Sequence, residues 1–319
     1  MPLFDRAGLD DATRIVRAHV PPTPQYPWPL LAEEVGAQTW VKHENHTPTS
    51  AFKIRGGLVL LDTLRRTGFT GPLVSATRGN HGQSLSLAGR LHGVPVTIVV
   101  PEGNDPDQVA AMRGFGAEVI VHGHDFQEAL EHAMAHAEHR GLVPVPAFHA
   151  DLVAGVATGA LELQTQAGRL DSVYLPVGQG SGICAHMAVR DLLGVGTEVV
   201  GVVADRAPAH ALSFAARRPV STPNADTFVD GVATRTPVPD AVEAMVAGAA
   251  RFVRVTEAQA EHAMRILWQT THQMPEPAGA LALAGLLADT GRDAGATAGV
   301  VMTGGNCDTE LIRRLVVAA

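Results

Sequence analysis

The sequence predicts an α/β protein with two lobes, each an open and mostly parallel sheet flanked by helices. The first observation is that short apolar runs alternate with helical patterns from residue 73 onward, which is typical of βαβ units. The second is that glycine-rich turns follow several of these runs. The third is size, because 319 residues with 46% apolar side chains can bury more than one small core.

The first series of elements predicts a compact lobe of three or four strands that ends near Phe148. Its strands are the apolar runs at 72–76, 95–101 and 117–123. Its helices follow them at 82–91, 105–114 and 126–139. Each strand is therefore connected to the next through a helix, as parallel strands require.

The second series predicts the other lobe. Its strands are expected at 171–177, 198–205, 250–256 and 297–304, and its helices at 152–168, 183–193, 257–271, 278–289 and 308–317. The region 207–250 has no clear pattern. An early strand at 38–44 is expected to join this second sheet, which divides the chain into a large discontinuous domain (1–72 and 149–319) and a small domain (73–148).

Composition and charge exclude several classes of protein. The net charge of −8 argues against a nucleic-acid partner, because a phosphate-binding surface must be basic. No uninterrupted apolar stretch of the sequence is long enough to predict a membrane span. The acidic start does not resemble a signal peptide. We therefore expect a cytoplasmic protein. Cys184 and Cys307 fit no metal spacing and are expected to be reduced thiols.

Lysine is rare in this chain, because only Lys42 and Lys53 occur among 24 basic residues. An arginine cannot lose its proton near neutral pH or form an imine, so a lysine in an arginine-rich chain suggests that an amine is needed. Lys53 lies in the segment SAFKIRGG between apolar neighbours. Desolvation there would lower the pKa of the amine, as imine formation requires.

Three further segments follow predicted strands. Thr77 and Asn80 in SATRGNHGQS suit a substrate carboxylate or a ring hydroxyl at a helix start, and Thr303 in VVMTGGN suits a ring nitrogen. The turn PVGQGSGICA offers the backbone N–H groups of a phosphate site. The same glycine pattern, with Asp205 ending the next strand, also fits a dinucleotide fingerprint, so a nicotinamide enzyme stays open as an alternative.

A group of histidines is the one candidate for a metal. His132, His136 and His139 share a predicted helical face with Glu128. The segment has no HExxH motif, and its other residues are typical of a solvated helix. We therefore expect no metal there.

In this order and spacing, the four segments resemble the threonine and serine dehydratase (ammonia-lyase) branch of the fold type II pyridoxal-phosphate enzymes, over roughly residues 20–315. SAFKIRGG matches the block around the family's lysine, and TRGNHGQS matches its Asn-His block. The resemblance implies the tryptophan synthase β-like fold. It also implies pyridoxal 5′-phosphate as cofactor, a large domain that binds it and a small domain that moves.

The resemblance assigns a role to each matching position. Lys53 would hold the cofactor as an imine and act as general base at the α-carbon, beside Phe52. Asn80 would bond the phenolic oxygen and Thr303 the pyridine nitrogen. The phosphate would be held at Gly178, Gln179, Gly180, Ser181 and Gly182. The substrate would be bound by Thr77, Arg78, Gly79, Asn80 and His81.

The implied reaction is α,β-elimination of water from a β-hydroxy-α-amino acid, which gives a 2-oxo acid and ammonia. Threonine or serine is the expected type of substrate, with phenylserine and 3-hydroxyaspartate open, and a homodimer is expected. β-Replacement, racemisation and nicotinamide-dependent dehydrogenation stay as alternatives.

The chain departs from the family's pattern at three places. The tetraglycine loop carries Gln179 and Ser181, whose side chains are expected to crowd the phosphate. Arg78 replaces a small residue and is the expected determinant of substrate choice. Val203 stands where some relatives have a cation-binding glutamate, so no metal is expected there either.

Overall fold

The strands of the computed structural model, which describes residues 3–316, form two separate sheets. The α/β class and the mostly parallel sheets flanked by helices are therefore confirmed. Residue 317 of the helix predicted at 308–317, like the outermost residues of the chain, lies outside the described residues.

The smaller sheet has four parallel strands in the order β5-β4-β3-β6. The strands are β3 (Leu73–Ala76), β4 (Val96–Val100), β5 (Glu118–Val121) and β6 (Val143–Pro144). The helices between them are α4 (Asn80–His92), α5 (Pro106–Gly114) and α6 (Phe126–Arg140). Both central strands are fully buried, as expected for a parallel sheet that is covered on its two faces.

The larger sheet has six strands in the order β1-β2-β10-β7-β8-β9. The strands are β1 (Gln25–Pro27), β2 (Thr39–His43), β7 (Ser172–Pro176), β8 (Glu198–Ala204), β9 (Arg251–Val255) and β10 (Ala298–Met302). Only the edge strand β1 is antiparallel to its neighbour. The early strand β2 pairs with β10, so the N-terminal segment does join the second sheet, as predicted.

The helices of the second series are all present. They are α7 (Ala150–Ala167), α8 (Ser181–Leu193), α11 (Glu257–Thr271), α12 (Pro277–Ala288) and α13 (Thr309–Val316). Among residues 3–316, no helix combines the length and apolar character that a membrane crossing needs.

Several elements were not predicted from the sequence. They are β1, β6, α1 (Arg6–Arg17), α2 (Pro29–Val35), α3 (Lys53–Arg66), α9 (Ala209–Ala216) and α10 (Pro239–Gly248). The two strands are three and two residues long, too short to show an alternating pattern. In α3 every residue from Ile54 to Leu61 is buried, including the charged Arg55, so the polar and apolar residues of this segment do not mark an exposed and a buried face.

Helix α3 is held tightly between α4 and α7. A Cβ atom on Gly155 of α7 would lie 2.2 Å from the carbonyl oxygen of Arg55, and one on Gly57 would lie 2.4 Å from Ser84 Oγ. The helices therefore approach so closely that only glycine fits at these two positions. This packing fixes the position of the N-terminal end of α3, where Lys53 lies.

A buried ionic cluster also anchors α3. The guanidinium of Arg55 donates to Glu44 Oε2 at 2.7 Å and to Glu162 Oε2 at 2.8 Å. Lys42 Nζ donates to the same Glu162 oxygen at 2.7 Å, and all four residues are buried. The second lysine of the chain therefore has a structural partner, which a buried ammonium requires.

Candidate active site

Lys53 is the first residue of α3 and its amine is the centre of the site. Its Nζ donates a hydrogen bond to Ser181 Oγ at 3.0 Å and lies 5.0 Å from the centroid of the Phe52 ring. Burial lowers the pKa of Lys53 to about 8. A tenth of the amine is then neutral at about pH 7, far more than for an exposed lysine.

The glycine-rich turn lies between β7 and α8. Gly180 precedes the helix with φ +98°, and a Cβ atom on Gly178 would lie 2.3 Å from the Gly231 carbonyl oxygen. Helix α8 begins at Ser181, two residues before the predicted start, so its first N–H groups have no acceptor within the helix. The turn therefore has the geometry of an anion site.

The two side chains expected to crowd this turn make hydrogen bonds of their own. The amide nitrogen of Gln179 lies 3.5 Å from Thr234 Oγ1, and the hydroxyl of Ser181 accepts from Lys53 Nζ at 3.0 Å. That they crowd a phosphate bound in the turn stays a prediction.

The loop after β3 leads into α4, which begins at Asn80. Thr77 is buried, and its Oγ1 accepts a hydrogen bond from the Gly79 N–H at 3.3 Å. His81 is buried as well, and burial together with the charge of Lys53 lowers the pKa of His81 to about 3. His81 is therefore neutral, and its Nε2 has no hydrogen-bond partner in the described part of the chain.

Arg78 is half-buried in the same loop. Its carbonyl oxygen accepts a hydrogen bond from Asn104 Nδ2 at 2.9 Å, which fixes the backbone of the loop. No carboxylate of residues 3–316 lies within ion-pair distance of its guanidinium. Burial raises the pKa of Asp230, and the charge of Arg78 opposes that rise.

Thr303 follows the last residue of β10, and its segment lies next to the one that contains Lys53. Its carbonyl oxygen accepts a hydrogen bond from the Phe52 N–H at 3.0 Å, and Gly304 forms a β-bridge with Ala51. Thr303 is buried, and its hydroxyl makes no hydrogen bond within residues 3–316. All four segments singled out in the sequence therefore meet around Lys53.

Glu276 is the residue of this site that the sequence did not reveal. It precedes α12, is buried, and accepts hydrogen bonds from Asn80 Nδ2 at 2.7 and 3.0 Å. Its only sequence signal is an acidic residue at a predicted helix start, which is more typical of a helix cap. The Asn80 oxygen in turn accepts from Asn306 Nδ2 at 2.7 Å.

These groups fit pyridoxal phosphate. The cofactor needs an amine of lowered pKa, a backbone cradle for its phosphate, and polar partners for its phenolic oxygen and ring nitrogen. Lys53 and the turn at 178–182 provide the first two. Asn80 and the unbonded hydroxyl of Thr303 are candidates for the other two.

The rival sites have less support. His132 stacks on His122 with 3.8 Å between ring centroids, and residues 3–316 contain no cluster of three or more His, Cys, Asp or Glu residues suited to a metal. Val203 is a buried core residue of β8. Asp205, the acidic residue of the dinucleotide pattern, is paired with Arg254 at 2.6 Å.

Comparison with known proteins identifies the family of the chain. The model of the family described as "Pyridoxal-phosphate dependent enzyme" matches residues 16–304. The biosynthetic L-threonine dehydratase of Pasteurella multocida is 30% identical over 267 residues, which are 83% of this chain but 52% of that protein. This chain thus spans about half the length of the first curated relatives it matches.

Two other matches extend over nearly the full length of both chains. The L-threo-3-hydroxyaspartate ammonia-lyase of Saccharomyces cerevisiae is 27% identical over 96% of this chain and 94% of that protein. The crystal structure of the T.th. threonine deaminase superposes with a TM-score of 0.88 at 30% identity, over 96% of this chain and 99% of that one. The chain belongs to the family of pyridoxal-phosphate-dependent enzymes, with the fold type II architecture and pyridoxal 5′-phosphate as its cofactor.

Proposed function

We propose that this protein is an ammonia-lyase that removes water from a β-hydroxy-α-amino acid of the threonine and serine type and yields a 2-oxo acid and ammonia. The observation that carries the proposal is the position of the Lys53 amine. It is hydrogen-bonded to Ser181, in the turn at 178–182 whose geometry suits an anion. The relatives named threonine dehydratase and hydroxyaspartate ammonia-lyase support this class of reaction.

The cofactor would be held by residues of both sheets. Lys53 would bind it through its amine, with the Phe52 ring beside it. The backbone of the turn, with Gly178, Gln179, Gly180, Ser181 and Gly182, would bind the phosphate. Asn80 would donate to the phenolic oxygen, and the Thr303 hydroxyl would meet the ring nitrogen.

Lys53 would also move the proton. When bound, the cofactor stabilises the negative charge that develops at the α-carbon. The freed amine of Lys53 can take the α-proton, because its pKa of about 8 leaves a neutral fraction near pH 7. Ser181 Oγ holds that amine in place at 3.0 Å. The β C–O bond would break and the hydroxyl would leave as water, which in the overall balance uses the proton taken from the α-carbon. The released enamine would then take up one water molecule to give the 2-oxo acid and ammonia.

The substrate would bind between the two sheets. We propose that residues 73–148 form a small mobile domain, and that 1–72 with 149–319 form the large cofactor-binding domain. The loop containing Thr77, Arg78, Gly79, Asn80 and His81 would contact the substrate from the small domain. Because α4 begins at Asn80, the N–H groups of its first turn suit the α-carboxylate.

We further propose that the protein is a cytoplasmic homodimer. Cys184 is buried and Cys307 half-buried, and both are free thiols, which supports a reducing compartment. The dimer is suggested by the resemblance to the dehydratases, and sedimentation equilibrium of the purified protein tests it.

A substrate panel tests the proposed reaction. Serine, threonine, 3-hydroxyaspartate and phenylserine would each be scored for 2-oxo acid and ammonia, with the L- and D-enantiomers separated. Lys53→Ala should lose at least a hundredfold in turnover, since a positioned general base contributes about 10²–10⁴-fold. Racemised substrate without 2-oxo acid, or reaction only with an added nucleophile, would contradict the proposal.

A further inference from the structure

We propose that Glu276 is a positioning residue that fixes the Asn80 amide for its contact with the cofactor's phenolic oxygen. The inference rests on the proposed function only where it assigns that contact to Asn80. Within residues 3–316 no hydrogen bond joins the Glu276 side chain to Lys53 or to the turn at 178–182, so it would act through Asn80.

The side chain of Glu276 does not cap the helix that it precedes. It immediately precedes α12, where an acidic side chain normally accepts from the first N–H groups of the helix. Here the side chain makes no such bond. Both carboxylate oxygens instead accept from Asn80 Nδ2, at 2.7 and 3.0 Å, although 196 residues separate the two.

Asn80 is consequently held from both sides. Its oxygen accepts from Asn306 Nδ2 at 2.7 Å, while its nitrogen faces Glu276. This arrangement determines which end of the amide is the donor. Because an amide nitrogen carries two hydrogens, one can be shared by the carboxylate oxygens while the other remains for the phenolic oxygen.

The contact also joins the two halves of the molecule. Asn80 is the first residue of α4, which packs on the four-stranded sheet, whereas α12 packs on β7 and β10 of the six-stranded sheet. Glu276 lies against the turn after Thr303, since a Cβ atom on Gly304 would be 2.4 Å from its Oε1. It therefore reaches Asn80 from the strand end that carries Thr303.

The charge of Glu276 changes near neutral pH. Burial raises the pKa of Glu276 to about 7, with a further contribution from Asp230, while the bond from Asn80 opposes the shift. Arg78 lowers and Asp105 raises the pKa of Asp230, while burial and then the charge of Glu276 raise the pKa of Cys307 to about 12. Below pH 7 the carboxyl is protonated, and its own hydrogen occupies one of the two oxygens that accept from the Asn80 amide. The hydrogen bonding between Glu276 and Asn80 is therefore weaker in acid.

A double-mutant cycle tests the proposal by cofactor binding, without reference to turnover. Glu276→Gln keeps the shape but removes the charge. In the native background we expect the dissociation constant for pyridoxal phosphate to rise about tenfold, the low end for a hydrogen bond to a charged group. In the Asn80→Ala background the same change should alter it less than about twofold, because contacting residues are non-additive. An equal factor in both backgrounds would mean a merely structural role and overturn the proposal.

The spectrum of the bound cofactor provides a second readout. The visible absorbance of the wild-type holoenzyme should change with an inflection near pH 7, and Glu276→Gln should lack that inflection. An inflection that persists in Glu276→Gln would assign the titration to another group and contradict the proposal.

Asp289→Asn is the matched control, since Asp289 is a buried carboxylate bonded to Tyr174 and Arg251 instead of Asn80. Asp289→Asn should leave the dissociation constant and the inflection unchanged. If the wild-type enzyme gives both expected results for cofactor binding but has no lyase activity, only the proposed function is refuted.

Discussion

The Nζ of Lys53 donates to the Oγ of Ser181 at 3.0 Å, although 128 residues separate them in the chain. The bond joins the first residue of α3 to the first residue of α8, so the amino-terminal ends of two buried helices face each other. Two helix N-termini are unfavourable surroundings for an ammonium. The geometry therefore favours the neutral amine, in agreement with the burial that lowers the pKa of Lys53.

Removal of the Ser181 hydroxyl should weaken cofactor binding, because this hydroxyl lies in the turn proposed to hold the phosphate. Ser181→Ala deletes the hydroxyl at the amine while it keeps the backbone N–H groups of the turn. We expect the dissociation constant for pyridoxal phosphate to rise about threefold to tenfold, as for a neutral hydrogen bond worth about 1 kcal/mol. Ser86→Ala is the control, since Ser86 is equally buried but bonds only the Gly82 carbonyl of its own helix. Equal effects of the two variants would show that Ser181 has no special role.

The rate of reconstitution should depend on the ionisation of Lys53. The cofactor reacts with the neutral amine, and burial lowers the pKa of Lys53 to about 8. The association rate of pyridoxal phosphate with resolved protein should therefore rise about tenfold per unit below pH 8 and level off above about pH 9. Borohydride reduction followed by peptide mapping should find the label on Lys53. Label on Lys42, whose amine is bonded to Glu162 and to the Thr23 carbonyl, would contradict the assignment.

The ionic cluster under α3 should be essential for stability. Glu162→Gln removes the charge that faces both Lys42 and Arg55 and leaves the two buried cations with Glu44 alone. We expect a loss of about 3–5 kcal/mol in the free energy of unfolding, as for a broken buried ion pair. Chemical denaturation measures it, with Glu310→Gln as control because the ion pair of Glu310 with Arg313 is exposed. A loss below about 1 kcal/mol would mean that the cluster contributes little.

Much of this fold could be predicted because its parallel strands are buried apolar runs. Every strand longer than three residues was predicted, and so was the pairing of the early strand β2 with the second sheet. Helices α1, α2, α3, α9 and α10 were missed. In α3 the buried run includes the charged Arg55, whose partners Glu44 and Glu162 are distant in the chain, so its burial depends on tertiary contacts that the sequence does not show.

The candidate site could be predicted as far as its residues lie in segments that follow a predicted strand or match the family, and Lys53 was singled out by the rarity of lysine and by its apolar neighbours. Lys53, Asn80, the turn at 178–182 and Thr303 were all singled out, and the structure brings them together. Glu276 could not be found in this way, because its partner lies 196 residues away and its own position resembles a helix cap. Contacts of this kind are determined by tertiary packing, which one sequence does not reveal.

Arg78 is the residue on which substrate choice is expected to depend. Its guanidinium has no ion-pair partner within residues 3–316, although Asp230 is close enough for Arg78 to lower the pKa of that carboxyl. The α-carboxylate of any substrate can be bound by the N–H groups that begin α4 at Asn80. Arg78 would then be free for a second carboxylate on the β-carbon. 3-Hydroxyaspartate carries such a second carboxylate and is therefore the informative member of the proposed substrate panel.

Kinetics across substrates separate the roles that Arg78 can have. If it binds a β-carboxylate, Arg78→Ala should lower kcat/KM for 3-hydroxyaspartate by about 1.5–3 kcal/mol, or roughly 10- to 150-fold, and leave threonine and serine nearly unchanged. Arg78→Lys should retain part of the activity, because it keeps the charge but not the bidentate geometry. A similar loss with every substrate would instead assign Arg78 to the α-carboxylate. Unchanged kcat/KM for all of them would mean that Arg78 only holds its loop against Asp230, and that another residue determines specificity.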